Sequence, residues 1–453
     1  MKRFVCWLAF GPLGVSLVLP ILLATAEPIP PALTELVAES LVNNPELHAA
    51  KKRWQMSERQ IIPARSLEDP RLSLTFSNYP IDSLAFDETP MTGNELNLAQ
   101  TFPFPGKLAA KGEMAEQQAL WFRGVYEDGK LQLVKKVKDS YYRLFFQDQG
   151  IRIINQNIAI LDDVIHLTET KYQVGKGLQQ DVLKAQVERS KLMDKLFSLK
   201  QMRVSILADL NTLRNQPTAK QVTPPAIEEM TPVEVELNEL QQGSEKHRPL
   251  YASYRSLIER YKAQKYFAQL EYYPNITVSA GYRFRATVPG DPVQGADFVS
   301  AGVGINLPFN RKKRHEAVAE ADSGIDMASD QYNDFRNKVL FNLHDTYAQM
   351  EKNRNQVSLY KTGILPQADQ TFQASLAAYQ VNKVDFLNLL DSLLSLYRYQ
   401  IDYYQVLADY QRNVAGLEAE SGMDLSRTPA AETGMESQPN NTFTSSHEER
   451  RQQ

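Results

Sequence analysis

Residues 275–284 read NITVSAGYRF, a stretch in which apolar side chains alternate with polar or small ones. The same alternation returns in residues 300–307, after a loop that contains Pro-Gly-Asp-Pro. A period of two places one set of side chains on each face of a β-strand. Each segment has roughly the 9–11 residues that a tilted membrane strand needs. A half-buried sheet of a soluble sandwich would show the same pattern.

The first half of the chain carries a less regular version of this strand pair. Leu72, Leu74 and Phe76 alternate with polar residues, and so do Leu96 and Leu98, on either side of a loop rich in Asp, Pro and Gly. We therefore predict two strand pairs, at residues 70–80 with 94–104 and at residues 274–286 with 297–309.

The second half of the chain repeats the first. Four landmarks recur in the same order 204 to 207 residues later: Asn44-Pro45 as Arg248-Pro249, Asp69-Pro70 as Tyr273-Pro274, Phe102-Pro103-Phe104 as Leu307-Pro308-Phe309, and Tyr172-Gln173-Val174-Gly175-Lys176 as Tyr379-Gln380-Val381-Asn382-Lys383. A shared order with nearly one offset indicates duplication. We predict a first repeat at residues 27–215, a linker at 216–235 and a second repeat at 236–422.

Long helical hairpins follow each strand pair. No proline interrupts residues 106–172, a length that corresponds to a rod of about 100 Å. Apolar residues then step by threes and fours, which indicates left-handed supercoiling against neighbouring helices. The pattern predicts hairpins at residues 106–214 and 314–421, and Pro366 is expected to kink or divide the third long helix.

The first residues are typical of an exported protein. Lys2 and Arg3 precede an apolar stretch that ends in Ala24-Thr25-Ala26, which predicts a signal peptide at residues 1–26; a retained anchor is the alternative. Cleavage would remove the single cysteine, Cys6, so the mature chain could form no disulfide. No later apolar run reaches the ~20 residues of a spanning helix. Residues 423–453, rich in Ser, Thr, Glu and Gln, are expected to be disordered.

Composition and motifs favour neither an enzyme nor a nucleic-acid-binding protein. Without residues 1–26 the chain has 48 Lys and Arg against 54 Asp and Glu, a mildly acidic balance that argues against a nucleic-acid partner. The six histidines are scattered with no pair at metal-ligand spacing, and there is no phosphate loop and no Gly-x-Ser-x-Gly. We expect no catalytic residue, metal site or cofactor.

Four membrane strands cannot form a wall alone. Lipid requires that every backbone group be paired, so membrane strands must close into a barrel, and the smallest single-chain bacterial barrels use about eight strands. Two copies would give eight strands and an interior that side chains fill. Three copies would give twelve strands, with room for a water-filled lumen lined by Ser, Thr, Asn and Gly. The alternative is a periplasmic coiled-coil scaffold that never inserts.

The order helix, strand pair, long hairpin, present twice, resembles the TolC family of outer-membrane efflux ducts over residues 30–422. The closest local matches are QTFPFPGKL (residues 100–108), which is similar to the heavy-metal efflux branch, and YQVNKVDFL (residues 379–387). The resemblance implies a mainly helical, duplicated fold that trimerises into a periplasmic α-barrel and a twelve-stranded β-barrel. It also implies location in the outer membrane of a Gram-negative bacterium, contact with outer-membrane lipid, and a passive exit duct for a periplasmic adaptor and inner-membrane pump. Protein secretion through the same architecture is the alternative.

The same resemblance suggests a gate at the hairpin tips. In the family, contacts between the hairpins hold the periplasmic end of the channel shut, and a ring of acidic residues around the channel axis narrows the entrance. By position, Asp181 and Tyr379 match such a contact and Asp391 matches one ring carboxylate. The second ring position is Asn388, and Val384 stands where an arginine usually assists the contact. Asp385 lies nearby as a candidate to replace the missing ring carboxylate. The alternative is that Asp181 and Asp385, which precede apolar helical runs, cap those helices.

The tips themselves suit tight turns and docking. Gly175 and its counterpart Asn382 are residue types that adopt the left-handed conformation between helices. The resemblance adds adaptor docking at the tips, by Val174, Gly175, Lys176, Val381, Asn382 and Lys383. The basic run Arg311-Lys312-Lys313-Arg314 follows the fourth predicted strand, and we interpret it as marking the periplasmic edge of the membrane.

Overall fold

The computed structural model describes residues 31–222, 230 and 233–425. The predicted signal peptide and most of the predicted disordered tail lie outside the described residues, as does part of the predicted linker. None of the described helices combines the length and the apolarity needed to cross a membrane.

The strands of both halves form one antiparallel sheet in chain order: β1 (Arg71–Ser77), β2 (Gly93–Phe102), β3 (Ile276–Phe284) and β4 (Phe298–Ile305). The pairing of β2 with β3 joins the two repeats edge to edge. Each strand is shorter than the predicted segment. β2 ends just before Pro103, which has no N–H to donate, and β1 ends before Asn78, whose φ of 59° turns the chain out of the sheet.

The register puts apolar side chains on one face in continuous rows. Leu72 lies opposite Leu98, which lies opposite Ala280, which lies opposite Ala301. This face is bare within the single chain: Leu72 is 64% exposed and Val299 is 78% exposed. The opposite face carries serine, threonine, asparagine and glycine together with the charged residues Arg71, Glu95 and Arg283. The sheet therefore has one apolar face and one polar face, and none of the described elements of the chain covers the apolar face.

In the first repeat, three short helices precede β1: α1 (Pro31–Asn43), α2 (Pro45–Arg59) and α3 (Ile61–Arg65). Asn44 separates the first two, because its side chain accepts a hydrogen bond from the Leu47 N–H at 2.9 Å and Pro45 begins the next helix. After β2 come α4 (Lys107–Gln173), 67 residues long, and α5 (Gln179–Leu213), which together form the first hairpin.

The second repeat contains α6 (Leu237–His247) and α7 (Pro249–Leu270) before β3. Its hairpin comprises α8 (Arg311–Leu359), α9 (Leu365–Gln380) and α10 (Phe386–Ser421). A π-helical segment, Tyr360–Ile364, separates α8 from α9 just before Pro366, so the prediction that this proline interrupts the helix is confirmed. α8 begins three residues earlier than predicted, because the Asn310 side chain caps it by accepting the Lys313 N–H at 3.0 Å.

The core is a series of apolar clusters between the hairpins. One cluster at the end remote from the sheet combines Leu161 of α4, Ala185 of α5, Phe372 of α9 and Leu389 of α10. Because all four long segments contribute to it, the tip of the first hairpin is packed directly against the tip of the second.

A buried ion cluster holds the two repeats together nearer the sheet. Arg248, in the Arg-Pro landmark between α6 and α7, donates to Asp128 of α4 at 2.9 Å and to Glu420 of α10. All three side chains are less than 10% exposed. Removing the guanidinium would therefore leave two carboxylates buried without their main partner.

We expect Arg248→Met to lower stability by about 3–5 kcal/mol, the usual cost of an uncompensated buried charge. Thermal unfolding of the detergent-solubilised protein, followed by circular dichroism, measures this. The matched control is Arg336→Met, because the Arg336–Glu245 pair is 48% and 43% exposed and should contribute less than about 1 kcal/mol. Equal shifts of the unfolding midpoint in the two variants would contradict the prediction.

Candidate functional site at the hairpin tips

The first hairpin turns through a left-handed glycine. Gly175 has a φ of +74°, and its N–H donates to the Tyr172 carbonyl at 3.0 Å. The Lys176 N–H donates to the Lys171 carbonyl at 2.8 Å. These two bonds define a Schellman motif, which satisfies the last carbonyl groups of α4 and reverses the chain within a few residues.

The second hairpin uses the same motif with asparagine in place of glycine. Asn382 has a φ of +60° and donates its N–H to the Tyr379 carbonyl at 3.1 Å. The Lys383 N–H donates to the Ala378 carbonyl at 2.9 Å. The left-handed conformation predicted for Gly175 and Asn382 is confirmed, and the two tips are equivalent turns at corresponding places in the repeats.

Both tips present the same side chains to solvent. A valine and a lysine flank the left-handed residue in each turn, and Val174 and Val381 are both 62% exposed. All six residues assigned to docking are exposed: Val174, Gly175, Lys176, Val381, Asn382 and Lys383. Each tip thus offers an apolar side chain beside a positive charge.

Lys171, in the last turn of α4, is the residue that sequence analysis missed. Its side chain is buried, and its Nζ donates to the Gln380 carbonyl at 3.2 Å and to Asn382 Oδ1 at 2.5 Å. The same Nζ lies 4.8 Å from the centre of the Tyr379 ring, within cation–π range. A cation of the first hairpin therefore binds the turn and the tyrosine of the second.

Tyr379 is 6% exposed and packs edge to face against Phe386, with ring centres 6.0 Å apart. Burial raises the pKa of its phenol, and the negative charge of Asp181 raises the pKa further. The hydroxyl consequently keeps its proton at neutral pH and remains a donor. Among the described residues of a single chain, Asp181 and Tyr379 are within electrostatic range but form no hydrogen bond with each other.

The acidic residues of the tips have different surroundings. Asp385 is the N-cap of α10, since its side chain accepts the Asn388 N–H at 2.8 Å, which confirms the capping interpretation. Asp181 lies in the first turn of α5, where no side chain forms the cap. Asn388 and Asp391 are both exposed and lie three residues apart in α10, so they share one face of that helix.

Val384 occupies the position where the family resemblance led us to look for an arginine. It is half-buried and packs against the apolar cluster of the tips. No cation can therefore reach Tyr379 from this position, and Lys171 supplies one from the opposite hairpin.

An amphipathic sheet that continues into long hairpins with matched tips defines the class of outer-membrane ducts. The chain belongs to the outer membrane efflux protein family, whose profile matches residues 36–216 and 242–422. The two matches cover the two repeats. The predicted TolC-like fold and the outer-membrane location are confirmed: the protein is an efflux channel of the Gram-negative outer membrane that extends into the periplasm.

Individual relatives agree with this assignment. The chain is 23% identical over 372 residues to the cobalt-zinc-cadmium resistance protein CzcC of Cupriavidus metallidurans, covering 81% of this chain and 84% of the relative. It is 22% identical over 352 residues to the outer membrane efflux protein BepC of Brucella suis, covering 74% of each. The crystal structure of the outer membrane protein VceC from Vibrio cholerae superposes with a TM-score of 0.72 at 19% identity, covering 86% of this chain and 96% of that one.

Proposed function

We propose that this protein is a trimeric, passive exit duct that receives cargo from a periplasmic adaptor and an inner-membrane pump. The four-stranded sheet is the observation that carries the proposal. Within the described part of the chain, β1 and β4 each pair with a neighbour on one side only, and the apolar face of the sheet is exposed. Unpaired strand edges are not tolerated in lipid. Pairing β4 of one copy with β1 of the next removes every edge once the ring closes.

The width of the lumen selects three copies. Eight strands form a barrel that side chains fill, whereas twelve leave an aqueous channel. The polar face of the sheet carries many small residues, such as Ser279, Gly281, Gly302 and Gly304, together with the facing charged pair Glu95 and Arg283. Small polar residues suit a lumen without strong cargo preference. Selectivity then resides in the pump. The curated relatives are efflux and resistance proteins, which favours efflux over protein secretion as the use of this duct.

We expect a cysteine pair on the two outer strands, Ser73→Cys with Ser300→Cys, to give a disulfide-linked trimer on oxidation. The reason is that β1 and β4 meet only between copies, while Cys6, the chain's single cysteine, lies in the predicted signal peptide. Gel electrophoresis of outer-membrane fractions without reductant measures the disulfide-linked dimers and trimers. Neighbouring cysteine pairs along β1 and β4 are tested in the same way to find the register between copies.

Each single-cysteine variant is the control and should stay monomeric after denaturation. If no pair along β1 and β4 crosslinked, and the purified mature protein remained a monomer in water without detergent, the proposed trimer would be wrong.

The tips support a gate as a second part of the proposal. Asp181, Tyr379, Asn388 and Asp391 lie near the turns of the two hairpins, and Lys171 binds one hairpin to the other there. In a trimer, three exposed Asp391 carboxylates around one axis would attract cations. Asn388 contributes an uncharged amide on the same helix face, so the ring has half the carboxylates of a doubly acidic one.

We expect Lys171→Met and Asp181→Ala each to raise the single-channel conductance of the trimer in planar bilayers. Lys171→Met removes charge-assisted hydrogen bonds, each worth about 1.5–3 kcal/mol, so losing one would shift the ratio of open to closed tips by roughly 10- to 150-fold. Asp181→Ala removes only a carboxylate that interacts electrostatically with Tyr379, so we expect a smaller rise. Lys176→Met is the control for the first variant, because Lys176 is an exposed lysine of the same tip. If both lysine variants had the conductance of the wild type, the proposal that Lys171 holds the two tips together would be wrong.

In the same bilayers, Asp391→Asn should weaken block by divalent cations, because it removes the ring charge without changing the size of the side chain. Asp326→Asn, at an exposed carboxylate of α8, is the control. Unchanged block in Asp391→Asn would rule out cation binding by the ring of Asp391 carboxylates. It would not affect the proposal that Lys171 holds the tips together.

Adaptor docking at the tips is the third part of the proposal, supported by the matched Val and Lys side chains of both turns. We expect Val174→Asp combined with Val381→Asp to abolish photocrosslinking of tip residues to a periplasmic adaptor in the native host, while the trimer is retained. Val42→Asp is the control, because Val42 is 66% exposed on α1, away from the tips. Docking at the tips would be wrong if crosslinking persisted in the double variant.

A further inference from the structure

The apolar face of the sheet does not end at the last paired residue. Beyond β4, Leu307 is 57% exposed and Phe309 is 83% exposed. The first turn of α8 follows at once, and Arg311, Lys312 and Lys313 are all exposed there. Along the chain, the membrane-facing strand β4 is thus followed by an exposed aromatic residue and then by three consecutive exposed cations.

These three cations are not required by the fold. Within the part of the chain that the structure describes, none of their side chains has a hydrogen bond or an ion pair. The first turn of α8 contains no acidic residue, and cations there oppose the helix dipole. The nearest carboxylate along the helix, Glu316, lies 3.7 Å from His315 instead.

Two other cations at the junction of the sheet and the helices do have structural roles. Arg314 donates to the carbonyls of Glu271 and Asn310, so it ties α8 to the end of α7. Lys107, which corresponds to Lys312 in the first repeat, is buried and donates to the Tyr273 carbonyl and to Asn275 Oδ1. At the duplicated position, Lys107 therefore points inward and is hydrogen-bonded, whereas Lys312 points outward and has no partner among the described residues.

We propose that Phe309, Arg311, Lys312 and Lys313 form a docking surface for an anionic phospholipid of the inner leaflet of the outer membrane. Leu307 continues the acyl-chain contact of β4, Phe309 lies at the interface, and the three cations bind the headgroup phosphate. Two observations favour an anionic phospholipid as the ligand of this surface. The surface is continuous with the membrane-facing side of the sheet, and its charge complements an anionic headgroup. The proposal rests on the outer-membrane location and not on the gate.

Native mass spectrometry of the full-length protein in detergent, titrated with dioleoylphosphatidylglycerol or dioleoylphosphatidylcholine, tests the surface. A basic side chain at a membrane surface strengthens binding about fivefold. The wild type should therefore retain phosphatidylglycerol in preference to phosphatidylcholine. The triple variant Arg311→Gln, Lys312→Gln, Lys313→Gln should lose at least tenfold in phosphatidylglycerol affinity, and its phosphatidylcholine binding should not change.

The matched control removes three exposed lysines far from the sheet, by Lys51→Gln, Lys200→Gln and Lys352→Gln, and should leave lipid binding unchanged. Three results would overturn the proposal: no preference of the wild type for phosphatidylglycerol, equal loss in both triple variants, or displacement of the lipid by inorganic phosphate at similar concentration. The last result would mean a free-phosphate site.

A second measurement on the wild type keeps the test decisive if the triple variant does not fold. Phosphatidylglycerol binding should weaken as salt rises from about 0.05 M to 0.5 M, because exposed charges are screened. Salt-independent binding would mean that acyl contacts alone retain the lipid, and the proposal would fail.

Discussion

The pairing of β2 with β3 sets the arrangement of both repeats. It joins the two halves of a duplicated chain through nine backbone partners, from Asn94 opposite Phe284 to Phe102 opposite Ile276. Because a shift of one residue would turn every side chain to the other face, this register also aligns the apolar rows of both halves. Because β2 and β4 run in the same direction, both hairpins leave the sheet at the same end of the strands. The equivalence of the tips follows from that common origin.

The duplication is used differently at its two ends. At the tips, both repeats form the same Schellman turn, so each copy of the chain presents two similar surfaces. Where the hairpins leave the sheet, corresponding positions have separate roles: Lys107 is enclosed by the end of α7 and the start of β3, whereas Lys312 faces outward. Symmetry in the sequence thus does not guarantee symmetry in function.

Much of the fold could be predicted because its signals are local. Alternation in residues 276–284, the proline-free run of residues 107–173 and the left-handed residues Gly175 and Asn382 each act within a few positions of the chain. Strand ends and the start of α8 were displaced by one to four residues. Pro103 sets the end of β2, the left-handed Asn78 sets the end of β1, and the capping Asn310 sets the start of α8. The candidate site was less predictable. Lys171 reads as an ordinary last-turn lysine, and nothing near it in sequence indicates that its partners come from the other hairpin.

The periodicity, the duplication and the positions of the turns can be read from the amino-acid sequence, because backbone preference and side-chain alternation depend on adjacent residues. Which groups meet across the repeats depends on how the chain packs in three dimensions. Lys171 reaches Asn382 from 211 residues away and Arg248 reaches Glu420 from 172 residues away. Such contacts exist because the pairing of β2 with β3 brings the two hairpins together, and no property of either neighbourhood specifies them. Burial then fixes their importance, since a charge enclosed by protein must find its partner there or destabilise the fold.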